Sequence, residues 1–151
     1  MKAAIGATAA MVAGPAVWAL VTRQGDDGGA PAIAYGRDRC EQCGMVIGDA
    51  RFAAAARQGS TVRRFDDIGC LIRHSGEALA SRSARGFVHD VDAETWLDAP
   101  GAWYVRTPAI HTPMNYGIAA YADAGGARRA YPRAPVLAFA DLLAALAKEQ
   151  T

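Results

Sequence analysis

The sequence predicts an α+β protein in which two similar halves follow an N-terminal hydrophobic segment. The first observation is a pattern, M-x-x-G-x-x-x-aromatic-A, which begins at Met45 and again at Met114. The second is that strand and helix candidates follow in the same order in each half, so that each half is approximately ββαβ. We therefore interpret the chain as an internal duplication of one small unit.

Residues 1–23 are predicted to direct the chain to a membrane. An apolar run over residues 3–21 follows Lys2 and ends before Arg23, and it is long enough to span a bilayer. A cleaved signal peptide and a retained membrane anchor both fit this pattern. Both place the rest of the chain in the periplasm, in the second case attached to the cytoplasmic membrane. Residues 24–37 contain a stretch of Asp and Gly residues followed by Pro31 and are predicted to be a linker.

Residues 38–150 are predicted to form the domain, with halves at about 38–92 and 103–150. The strand candidates are enriched in apolar residues and bounded by turn residues, and they cover 52–57, 61–64, 86–91, 103–106 and 117–122. His89 is expected to point outward from its strand.

The first helix is predicted over about 66–79. Asp66 and Asp67 suit its first turn, because carboxylates are favourable at a helix N-terminus. Gly69 and Gly76 each weaken it by about 1 kcal/mol relative to Ala. Cys70 is interpreted as a buried, inert cysteine in this helix.

The second helix is predicted to begin at Phe139 and to be the counterpart of the first in the duplication. Its apolar residues recur with helical spacing, at Phe139, Leu142, Leu143 and Leu146. Before it, Gly125 and Gly126 predict a turn that leads into a short arginine-bearing strand.

Charge and cysteine count limit the function classes. The net charge is +1 and charged residues make up 21% of the chain, so the sequence has no basic footprint for nucleic acid. The 3 cysteines are an odd number, which excludes a complete disulfide framework. One small metal site is the most that these cysteines and the histidines can build.

The chemistry concentrates in the segment C-E-Q-C-G-M, which contains Cys40, Cys43 and Met45. A C-x-x-C turn can direct both sulfurs at one ion, and Met45 adds an uncharged, soft thioether. Thioethers contribute little to zinc sites, but Cys and Met are the ligands that Cu(I) favours. The segment therefore predicts a Cu(I) site. The alternative is that Met45 is an ordinary core residue.

A second set of donors lies in the segment H-T-P-M, which contains His111 and Met114. Met114 occupies the same place in the second pattern as Met45 does in the first. If the halves pack about a pseudo-twofold axis, the two methionines approach each other and His111 lies near the same site. Core packing for Met114 and a surface loop for His111 are the alternatives.

Three motifs, C-E-Q-C-G-M-V-I-G-D, F-D-D-I-G-C-L-I-R and T-P-M-N-Y-G-I-A-A-Y, resemble the NosL family, the copper-binding accessory proteins of nitrous oxide reductase maturation. The similarity covers roughly residues 36–148. By position, the family's metal-binding C-x-M element falls on Cys43 and Met45, and its second methionine-bearing segment falls on Met114. The chain departs from the family in lacking a lipobox cysteine and in having Cys40, whose role as ligand, disulfide partner or spare thiol stays open.

The resemblance implies a periplasmic Cu(I)-binding metallochaperone and not an enzyme. Its partners would be a copper-donating transporter or assembly complex and a copper-enzyme client such as nitrous oxide reductase. The resemblance also implies a fold related to that of the organomercurial lyases.

Two enzymatic hypotheses remain beside the chaperone. The first is an exported thiol–disulfide oxidoreductase that uses Cys40 and Cys43. The second is a lyase, whose chemistry would need two cysteines and a carboxylate to converge, for example Cys40, Cys70 and Asp66. No spacing in the sequence requires that convergence.

Overall fold

The computed structural model describes residues 29–149. The predicted membrane-directing segment and the first part of the predicted linker lie outside this range. Within it the chain has mixed helix and strand content with two small antiparallel sheets, which confirms the α+β class. None of the helices in the described residues is long and apolar enough to cross a membrane.

The first sheet has four strands in the order β2-β1-β3-β4. Its elements in chain order are β1 Ala54–Gln58, β2 Thr61–Phe65, helix α1 Ile68–Ala80, β3 Arg85–His89 and β4 Trp96–Asp98. All of its strand pairs are antiparallel. A single turn of 3₁₀ helix, Ala99–Gly101, leads from β4 to the second sheet.

The second sheet has three strands in the order β6-β5-β7, again antiparallel. Its elements are β5 Trp103–Arg106, β6 Ile118–Tyr121, helix α2 Ala124–Ala130, β7 Val136–Ala138 and helix α3 Phe139–Lys148. The sheets are joined where Asp90, just after β3, bridges to Ala120 of β6. The Val91 N–H donates to the Ala120 carbonyl at 2.9 Å, and the Ala122 N–H donates to the Asp90 carboxylate at 2.7 Å.

Each half contains a ββαβ unit with the same strand order, but the equivalent elements differ from those that the sequence pattern predicts. Units β1-β2-α1-β3 and β5-β6-α2-β7 correspond, so the counterpart of α1 is α2 and not the helix that begins at Phe139. The predicted turn and arginine-bearing strand after β6 are wrong, because these residues form α2. The physical reason is the cap: Asp123 accepts the Gly126 N–H at 2.8 Å, as Asp67 accepts the Gly69 N–H in α1.

The main hydrophobic core draws residues from both halves. Helix α1 contributes Ile68 and Leu71, β5 contributes Tyr104, and α3 contributes Leu142 and Leu146, all of them buried. The apolar stripe predicted for α3 therefore faces this core as expected. This shared core fixes α1, whose N-terminus belongs to the site described below, against the second half.

His89 is buried, and the expectation that it points outward is wrong. Its Nδ1 lies 3.0 Å from the Ala53 carbonyl oxygen, and its ring stacks on Trp96 with centroids 3.7 Å apart. Burial lowers the pKa of this imidazole below its usual value. A neutral imidazole with a hydrogen bond to a backbone carbonyl is compatible with this buried position.

Candidate metal centre

The C-x-x-C segment folds into a tight loop closed by its own backbone. The Cys40 N–H donates to the Met45 carbonyl at 2.8 Å, and the Gly44 N–H donates to the Cys40 carbonyl at 2.9 Å. Gly44 has φ +77°, a conformation that glycine adopts without a steric penalty. The turn therefore holds Cys40 and Cys43 on one compact loop.

This loop packs against the segment that connects β2 to α1. The Glu41 N–H donates to the Arg64 carbonyl of β2 at 2.9 Å, which fixes the loop beside the end of that strand. The chain then passes Asp66 and the helix cap Asp67, and Cys70 follows within the first turn of α1. A tertiary backbone contact thus brings the loop cysteines to the start of the helix.

The three cysteines and one carboxylate converge at this place. One ligand atom from each of Cys40, Cys43, Asp66 and Cys70 lies within 4.8 Å of the other three. We call these four residues the donor cluster. The Cys43 thiol lies 3.4 Å from both Asp66 carboxylate oxygens. Cys40, Asp66 and Cys70 are buried and Cys43 is partly exposed, so the cluster opens toward solvent at Cys43.

Cys70 is buried in the hydrophobic core as predicted, and its thiol also belongs to the donor cluster, while its inertness stays a prediction. Asp66, which the sequence places at the helix terminus and in the lyase hypothesis, belongs to the donor cluster as well. The convergence of Cys40, Cys70 and Asp66 is the one that the lyase hypothesis requires. No helical spacing explains the approach of Asp66 to Cys70, because Asp66 precedes the helix cap Asp67 and lies outside α1.

The thiols differ in acidity because of their mutual contacts. The neighbouring Cys70 thiol, as a hydrogen-bond partner, lowers the pKa of Cys40 to about 6. Burial raises the pKa of Cys43 to about 11. Cys70 also has a raised pKa, chiefly because of its hydrogen bond to Cys40. Cys40 is thus the first of the three to lose its proton.

Asp67, next to the donor cluster, ties the second half to the helix start. Its buried carboxylate accepts the Gly69 N–H at 2.8 Å, the Met114 N–H at 3.1 Å and the Thr112 hydroxyl. Burial raises the pKa of this carboxyl, and these three donors act in the opposite direction. The backbone of Met114 is therefore anchored one residue away from Asp66.

Tyr116 covers the first turn of α1. A Cβ atom built on Gly69 would lie 2.1 Å from the Tyr116 Cγ, so the ring occupies the space that a side chain would need. The glycine that weakens the helix by its propensity therefore permits close packing between α1 and the loop that carries Met114.

The other predicted ligands lie at the surface. Met45 is 48% exposed and Met114 is 37% exposed, so neither is an ordinary core residue. His111 is also exposed and lies in a shallow cavity with Arg106 and Tyr116. The structure brings Cys40 and Cys43 together. It places Met45 and Met114 on segments that adjoin the donor cluster in the chain, at Cys43 and at Asp67, and ligation by the methionines and His111 stays a prediction.

A comparison with solved structures supports the resemblance at the level of fold. The crystal structure of the copper chaperone NosL from Shewanella denitrificans matches with a TM-score of 0.60 and 18% sequence identity, over 74% of this chain and 94% of that chain. No protein-family model matches the chain, and no curated protein matches it. At this identity the likeness shows a NosL-like fold.

The packing of Tyr116 on Gly69 predicts opposite effects for two substitutions in one helix. Gly69→Ala should lower the free energy of unfolding by about 1–3 kcal/mol, because the new methyl group displaces the ring. Gly76→Ala is the matched control, since its Cβ would meet the nearest atom, Ile72 Cγ2, at 3.6 Å. It should raise stability by up to about 1 kcal/mol through helix propensity.

Denaturant unfolding of both variants measures the two effects. Equal stabilisation by the two alanines would show that Tyr116 does not pack against α1 in this way.

Proposed function

We propose that this protein is a Cu(I)-binding metallochaperone whose cargo site consists of the three cysteines of the donor cluster together with the methionines beside them. The observation that carries the proposal is the convergence of Cys40, Cys43 and Cys70 at one opening of a NosL-like fold. Thiolates and thioethers are the ligands that Cu(I) prefers, and this site offers both kinds of sulfur.

The graded exposure of the sulfurs suits release of a cargo ion. Cys40 and Cys70 are buried, Cys43 is partly exposed, and Met45 is 48% exposed. A ligand of an acceptor protein can therefore bind the copper ion from the side of Cys43 and Met45 before the buried thiolates dissociate from it. A neutral thioether is also an easily displaced ligand, because no proton has to return to it. Transfer would proceed by stepwise ligand exchange, in which the copper keeps its oxidation state.

The setting of this transfer follows from the resemblance and from the N-terminal segment. Export by residues 1–23 would place the donor cluster in the periplasm, either free or held at the cytoplasmic membrane. Copper would come from a transporter or assembly complex and pass to a copper enzyme such as nitrous oxide reductase.

The position of the most acidic thiol disfavours thiol–disulfide exchange. An oxidoreductase needs an accessible thiolate with a lowered pKa as its nucleophile. Here the lowered pKa, about 6, belongs to buried Cys40, and the accessible Cys43 has a pKa raised to about 11.

Anaerobic titration with Cu(I) against a chromophoric chelator tests the proposal. Cys43→Ser should weaken Cu(I) binding by about tenfold or more, since even the loss of an outer-shell partner costs 10- to 100-fold in metal sites. Met45→Leu should also weaken binding, because it removes the thioether with little change in volume. Val46→Leu is the control, as Val46 is the next residue and is similarly exposed. Unchanged affinity in Cys43→Ser would overturn the ligand assignment.

A second candidate function is protonolysis of a carbon–mercury bond, and the convergence of Cys40, Cys70 and Asp66 favours it. Two thiolates would bind the mercury of an organomercurial cation. A proton that passes from the Cys43 thiol to Asp66 would then reach the carbon, which keeps the electron pair of the breaking bond. The products would be the hydrocarbon and thiolate-bound Hg²⁺.

The assay for this activity follows benzene released from a phenylmercury salt. Catalytic turnover in the wild-type protein that is lost in Asp66→Asn would establish the second function. Stoichiometric binding of the substrate without benzene would exclude it.

A further inference from the structure

Two adjacent buried carboxylates at the start of α1 differ in their partners. Asp67 has three donors, two of them backbone N–H groups. Asp66 is 1% exposed, and its carboxylate oxygens face the Cys43 thiol at 3.4 Å. Within residues 29–149, no arginine, lysine or backbone N–H donates a hydrogen bond to the Asp66 carboxylate. A thiol is a weak donor, so this buried group is poorly compensated.

We propose that the donor cluster also binds a thiophilic divalent cation of the zinc and cadmium class, with Asp66 as its oxygen ligand. Three sulfurs and one carboxylate oxygen make the four-coordinate set that such ions accept. All four donor atoms lie within 4.8 Å of one another. In a tetrahedral site with metal–sulfur bonds of about 2.3 Å, the sulfurs are about 3.8 Å apart, so a small contraction closes the cluster around an ion.

Charge compensation distinguishes the divalent ion from Cu(I). A buried carboxylate beside thiolates is costly unless positive charge offsets it, and a divalent cation offsets twice the charge that Cu(I) does. Cu(I) also prefers soft sulfur and gains little from a hard oxygen ligand. Asp66 is therefore the residue that separates the two classes of ion, binding the divalent cation and remaining outside the Cu(I) shell.

The two ions exclude each other because both require Cys43. This point rests on the proposed Cu(I) function. A divalent ion would occupy the buried thiolates together with Asp66, whereas Cu(I) would use sulfur alone and extend toward the exposed Met45. Divalent cations in the compartment would thus compete directly with copper loading.

Titration of the full-length chain with Cd²⁺, purified and handled without oxygen, tests the assignment. The near-ultraviolet absorption of the thiolate–cadmium bond should rise to one equivalent in the wild-type protein. Asp66→Asn should weaken Cd²⁺ binding by about tenfold or more while its Cu(I) affinity stays unchanged. Met45→Leu is the matched control and should show the reverse, with Cd²⁺ binding retained and Cu(I) binding weakened.

The outcomes separate this inference from the proposed function. Absence of the absorption in the wild-type protein, or equal Cd²⁺ affinity in Asp66→Asn, would overturn the divalent site and leave Cu(I) binding standing. Retained Cd²⁺ binding without Cu(I) binding would overturn the chaperone proposal alone.

A measurement on the wild-type protein avoids any dependence on how Asp66→Asn folds. The ¹¹³Cd NMR shift should indicate three sulfurs and one oxygen. A shift typical of an oxygen-dominated shell would contradict the inference.

Discussion

The structure of the site depends on the buried carboxylate of Asp67. It caps α1 by accepting the Gly69 N–H and, in the same place, accepts the Met114 N–H and the Thr112 hydroxyl. A single residue thereby fixes where the helix begins and where the loop of the second half lies. Leaving these donors without a partner in the interior would cost about 1–3 kcal/mol for each group. Because Asp66 and Cys70 flank this cap in the chain, their positions depend on it too.

Because the Asp67 cap also binds the loop of the second half, both halves contribute to the site. The first half supplies all four members of the donor cluster, from the loop of Cys40 and Cys43 and from the β2–α1 connection. The second half supplies a cover, through the Tyr116 ring on Gly69 and the anchored Met114 segment. The second ββαβ unit keeps the cap at Asp123 but has Ala122 where the first has Asp66. The two units thus share the capped ββαβ scaffold, whereas Asp66 and Cys70 belong to the first unit alone.

Local patterns in the sequence predicted the elements whose residues carry a strong periodicity or cap. The strand at 103–106 and the helix from Phe139 agree with β5 and α3, and the ββαβ order holds in both halves. Helix α2 was not predicted because its sequence, A-G-G-A-R-R-A, contains two glycines, which have a low helix propensity. The Asp123 side chain caps its N-terminus. The sequence pattern also aligns Met114 with Met45, whereas Met114 precedes β6, the counterpart of β2, and Met45 precedes β1.

In the candidate site, too, the sequence predicted contacts between residues that are close in the chain and missed contacts between residues that are far apart in it. The pair Cys40 and Cys43 was predictable because a turn of the chain itself joins them. The approach of Cys70 was not predictable from spacing, because it depends on tertiary contacts such as the hydrogen bond from the Glu41 N–H to the Arg64 carbonyl on β2. His89 is a further case, since its burial depends on Trp96 and on Ala53 across the sheet.

The proposed copper chaperone function requires that sulfur atoms of this cluster bind copper as Cu(I). X-ray absorption spectroscopy on the full-length chain, loaded with Cu(I) without oxygen, tests it most directly. The spectrum should show the edge of Cu(I) and a first shell dominated by sulfur, without an oxygen ligand from Asp66. A first shell dominated by nitrogen or oxygen would contradict it.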